Sequence, residues 1–134
     1  MATISILYKG EKRTTATHLA SGSTILTDAP LDNNGKGETF SPTDLLCSSL
    51  ASCMLTIMGI SAEKNKIKLD DIICTVTKTM GINPRRVVQV DIHMDVKNPL
   101  NEKERKLMIL AAENCPVAKS IHPDILQNLT WSFA

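Results

Sequence analysis

From Leu45 to Ala62 the chain carries no charged residue, and this run limits what the rest of the sequence can fold into. A helix start precedes it. Ser41 is a good N-cap, Pro42 suits the first helical position, and the Asp44 carboxylate lies at the positive end of the helix dipole. An ordinary surface helix turns a charged stripe to water; this one has none, so it is predicted to be surrounded by protein. Its length touches the lower limit of a membrane span, roughly 18 residues. Cys47, Ser48, Ser49, Ser52, Thr56, Gly59 and Ser61 dilute its hydrophobicity, and no aromatic residue marks an interface. The reading is the buried central helix of a soluble protein, with no membrane partner.

The rest of the chain supplies what could surround it. Thr3 to Tyr8 alternates as a strand, Lys12 to Leu19 pairs with it across the Gly10 turn, and Thr24 to Thr27 forms a third strand. Ala29 to Phe40, with Pro30, Asn33, Asn34, Gly35 and Gly37, is a long loop of the kind that often carries function. Its Gly35-Lys36-Gly37 lacks the spacing and the Lys-Ser/Thr ending of a phosphate-binding loop. Leu69 to Met80 and Arg85 to Val96 form a hairpin. In its second strand Val88, Val90, Ile92, Met94 and Val96 are expected to face the core. A helix opens near Asn101 with Glu104 as its capping-box partner, breaks at Cys115-Pro116, and continues briefly to Ile121. Leu129 to Phe133 is read as a last strand. The class is α+β, in one domain over 1–134.

Charge and cysteine content exclude several functions. A net charge of +1 with 3% aromatic residues gives neither a basic face nor stacking platforms for nucleic acid. The start MATISILYKG has no export signal, so Cys47, Cys53, Cys74 and Cys115 are expected as thiols in a reducing cytoplasm. Cys47 and Cys74 read as packing residues. Cys53 lies deep in the uncharged helix, where reactivity would need a cation brought from elsewhere in the fold. Cys115 precedes Pro116, at the N-cap of a short helical turn with Lys119 nearby. Local physics therefore makes Cys115 the more acidic thiol. His18, His93 and His122 form no ligand spacing, so no metal is expected, and no cofactor.

Taken together, SPTDLLCSSLASCMLTI and AENCPVAKSI resemble the two cysteine motifs of the OsmC/Ohr family, in the family's order and over nearly the whole chain. The resemblance implies an OsmC-like α+β fold, with antiparallel sheets around the long buried central helices of an intertwined homodimer. It also implies reduction of organic hydroperoxides. Cys53 would be oxidised to a sulfenic acid, Cys115 would close a disulfide with it, and a dithiol reductant would restore the pair. Active members carry a glutamate after the helix-start proline and an arginine that activates the thiolate. Here Thr43 follows Pro42, Asp44 matches a second acidic position, and no arginine lies between Ala29 and Phe40. Arg13, Lys36 and Asp44 are the candidate supports. The alternatives are a non-catalytic binding or redox-sensing module for a small apolar ligand, and thiol chemistry on another electrophile led by Cys115.

Overall fold

A computed structural model describes every residue, Met1–Ala134. The chain forms two compact units, Met1–Leu46 and Cys47–Ala134. In the first, β1 (Ile4–Gly10), β2 (Arg13–His18) and β3 (Thr24–Asp28) make an antiparallel sheet in sequence order. The β1–β2 turn places Glu11 and Lys12 at φ 55° and 61°, the left-handed geometry that matches the twist of a tight hairpin. After β3 the chain makes one 3-10 turn, Leu31–Asn33, and folds back on itself. Gly35 is needed there for contact: a Cβ on it would lie 1.8 Å from the Ala29 carbonyl oxygen. The glycines of the expected functional loop thus serve its own compaction.

The central helix α1 (Pro42–Lys64) crosses from the first unit into the second. Its start is a reciprocal cap. The Asp44 amide donates to Ser41 Oγ (3.0 Å), and the Ser41 amide donates to Asp44 Oδ2 (2.9 Å). One side of α1, through Leu50, Ala51, Met54, Met58 and Ala62, enters the hydrophobic core. The other side differs from the expectation of complete enclosure. Ser49, Ser52, Thr56 and Ile60 recur at helical spacing and are all exposed. The helix is long and apolar enough to cross a membrane by length and composition alone, and about a third of its most apolar stretch is buried within the chain.

The second sheet comprises β4 (Ile72–Gly81), β5 (Arg86–Val96) and β6 (Leu126–Phe133), with β5 central. β4 and β5 form the expected antiparallel hairpin; β6 lies parallel to β5. A parallel neighbour needs a crossover. Helix α2 (Glu102–Glu113) and the short α3 (Pro116–Ser120) provide it. β6 also begins three residues earlier than expected, at Leu126, because polar Gln127 and Asn128 obscure the start of a strand that the sheet register establishes. On β5, Val90, Ile92, Met94 and Val96 face the core as expected, but Val87 replaces Val88. An irregularity in the β4–β5 register between Thr79 and Met80 shifts the alternation there. The Asn101–Glu104 capping box of α2 forms as expected.

Candidate functional site: a thiol pair

Cys53 and Cys115 lie near each other. They come from different elements, α1 and the N-cap of α3, and are close enough for Cys53 to influence the Cys115 thiol. Their surroundings differ. Cys115 is fully buried, whereas Cys53 is half-buried, at the border between the packed side of α1 and its exposed stripe. No disulfide joins them. Cys47 is buried in the core cluster and Cys74 is packed against it, as expected of packing residues.

The environment of Cys115 corrects the sequence-based ranking of acidity. Burial pushes its pKa up, and this outweighs the Ala118 amide, which donates to Sγ at 3.3 Å and favours the thiolate. Cys53 raises it further, both as a hydrogen-bond partner and as a charge. Cys115 is indeed the N-cap, but a five-residue turn does not repay the loss of water. Its neutral thiol form is therefore favoured. Gln127, from β6, donates through Nε2 to the Ala118 carbonyl (3.1 Å) and ties α3 to the sheet.

The three candidate supports lie in the first unit, each engaged with near neighbours. Arg13 Nε donates to Asp28 Oδ1 (2.6 Å) and its Nη2 to Asp28 Oδ2 (3.2 Å), a two-pronged pair; Nη2 also donates to Glu38. Asp28 is buried, and Arg13 beside it holds its carboxyl below the usual range, aided by the Glu38 amide. Lys36 pairs with Glu11 at 3.0 Å, and Asp44 caps α1. Arg13, Asp28 and Glu38 line a cavity of about 450 Å³ with Lys9, Glu11 and Thr39. Asp28 and Glu38 escaped the sequence reading. Asp28 faces Arg13 across the β2–β3 register, and that pairing is visible only once the strands are aligned.

Residues 35–129 match the model of the OsmC-like protein family. The chain belongs to the OsmC-like family. A crystal structure of a protein from Psychrobacter arcticus 273-4, provisionally described as an osmotic stress induced and detoxification response protein, is 51% identical. It superposes with a TM-score of 0.95 over 98% of this chain and 96% of that one. The OsmC-like fold extends to more distant proteins. An organic hydroperoxide resistance protein OsmC from Legionella pneumophila is 19% identical, with a TM-score of 0.72 and 98% of each chain covered. An organic hydroperoxide resistance protein from Elizabethkingia anophelis, with thiocyanate bound, is 16% identical, with a TM-score of 0.72 over 100% of this chain and 98% of that one. A search of curated proteins returned no match.

Proposed function

We propose that this OsmC-like chain is a cytoplasmic, homodimeric thiol peroxidase acting on organic hydroperoxides. The observation that carries the reading is the proximity of a half-buried thiol, Cys53, to a fully buried one, Cys115. The Cys53 thiolate attacks the outer peroxide oxygen; the O–O bond breaks, the alcohol leaves with a proton, and Cys53 becomes a sulfenic acid. The Cys115 thiol then attacks the Cys53 sulfur. An S–S bond forms, and the sulfenic oxygen departs as water with the Cys115 proton. A dithiol reductant reopens the disulfide and is itself oxidised. A buried resolving thiol beside an accessible attacking one suits this division of labour.

The exposed stripe on α1, Ser49 to Ile60, carries no charge, and burying it costs no ion desolvation. It supports the homodimer, in which a second copy covers it. Light scattering on the purified chain should give twice the mass of 14.6 kDa. Peroxidase activity is tested by mixing the reduced protein with cumene hydroperoxide and following peroxide loss and the Cys53–Cys115 disulfide by mass. Turnover no faster than free cysteine, with both thiols intact, removes the enzyme reading.

One observation favours the second reading, a non-catalytic small-ligand or redox-sensing protein. Arg13 and Lys36, the cations nominated as supports, are both bound to carboxylates. That reading expects an apolar ligand to copurify, with binding unchanged in Cys53→Ser.

A further inference from the structure

We infer that Gln127 is a positioning residue for Cys115: by clamping the Ala118 carbonyl, it holds the α3 turn so that the buried thiol faces Cys53. The inference rests on reading Cys53 and Cys115 as a pair that closes into a disulfide.

Ala118 is engaged at both ends of its backbone. Its amide donates to Cys115 Sγ at 3.3 Å and its carbonyl accepts from Gln127 Nε2 at 3.1 Å. One residue thus links the sulfur to β6. The other hydrogen bonds of α3 are internal or local: the Ser120 hydroxyl to the Pro116 carbonyl, the Lys119 amide to the Cys115 carbonyl, and the Ile121 amide to the Val117 carbonyl. A five-residue turn is too short to hold itself in place. Gln127 is well placed to anchor it. It sits on β6 in parallel register with Val90 of the central strand, whose side chain is fully buried, so its backbone is held in the sheet. Its amide reaches Ala118 from a half-buried position, where a donor–carbonyl bond competes less with water than on the surface.

The consequence concerns ring closure. When the Cys115 thiol attacks the Cys53 sulfenic acid, an S–S bond forms and water leaves. The rate and equilibrium of that step depend on how often the two sulfurs are aligned. Loss of the clamp lets α3 sample other positions, and the effective concentration of Cys115 at Cys53 falls.

The test equilibrates the full-length reduced protein with mixtures of reduced and oxidised glutathione. Each disulfide formed in the protein then consumes one glutathione disulfide and releases two thiols. The fraction closed is read by acid quench, alkylation and mass. Gln127→Leu keeps the bulk and removes the donor. It is expected to lower the closure constant about fivefold to tenfold, the worth of one hydrogen bond, and to leave more Cys53 as sulfinic acid when a second equivalent of cumene hydroperoxide is supplied. Asn128→Ala, which alters the adjacent outward residue bound to Asp91, should match wild type in both readouts. Gln127→Glu, which replaces the donor with an acceptor, serves where Gln127→Leu does not fold and should show the same loss. An unchanged closure constant in the folded variant overturns the inference. A wild type that forms no Cys53–Cys115 disulfide at any glutathione ratio overturns it together with the peroxidase reading. A wild type that closes the disulfide in glutathione but consumes no hydroperoxide overturns the peroxidase reading alone, and Gln127→Leu still decides the clamp.

Discussion

The two units solve the problem of a buried polar group in opposite ways. In Met1–Leu46 the buried carboxylate of Asp28 keeps its charge because Arg13 meets it with a two-pronged guanidinium. In Cys47–Ala134 the buried thiol of Cys115 gives up its charge, because burial outweighs one short turn of amides. A planar guanidinium neutralises a charge in place; a pair of amide dipoles only moderates the cost of holding one. Charge therefore persists where a full countercharge is delivered, and a neutral thiol persists where it is not.

The largest effects should come from the thiol side. Cys53→Ser is expected to bring hydroperoxide consumption down to the background of a protein without the thiol, measured by peroxide assay. Cys115→Ser should retain the first oxidation and accumulate sulfenic and sulfinic Cys53 by mass. Equal loss in both variants would mean the two sulfurs do not divide the work. Next is the core beneath them. Met58 is fully buried on α1, and Met58→Ala should lower stability to urea by about 2–5 kcal/mol through cavity formation.

The pH dependence should separate the units by direction. The Asp28 pKa is lowered in the fold, so the stability it contributes is present above the ordinary carboxylate range and is lost as pH falls through its lowered value. The Cys115 pKa is raised. Its neutral form fits the fold at no cost below the ordinary thiol value, and stability declines as pH climbs from there toward the raised value. Arg13→Ala should remove most of the acid sensitivity of the first unit and leave the alkaline limb unchanged, read by pH-dependent thermal melts. Acid and alkaline limbs that both survive in Arg13→Ala and Cys115→Ser would break the comparison. The smallest effect is expected for Lys36→Ala: its pair with Glu11 is exposed on both sides and screened by salt, so the melting temperature should not move measurably.

Much of the fold was legible in the sequence because its signals are local. The Ser41-Pro42-Asp44 start, the Asn101–Glu104 box and the alternation from Val90 to Val96 each act within a few residues, and each is present as expected. The misreadings have a common cause. Val87 rather than Val88 faces the core because a register irregularity in the hairpin resets the alternation. β6 runs parallel to β5 because the crossover carries the chain back to the end of the sheet at which β5 begins. The Cys115 ranking reversed because an N-cap is a local feature and burial is not.

The sequence by itself singled out the features on which the proposal rests: two cysteines in distinct helical contexts, and a central helix with no charged face. Both follow from residue type and short-range spacing, which the chain specifies before it folds. Only the tertiary structure decided that the two cysteines come near each other, that Cys115 is the thiol kept neutral, and that Arg13 is engaged by Asp28 and Glu38. Desolvation and ion pairing depend on what surrounds a group in space, and that exists only once distant segments have packed.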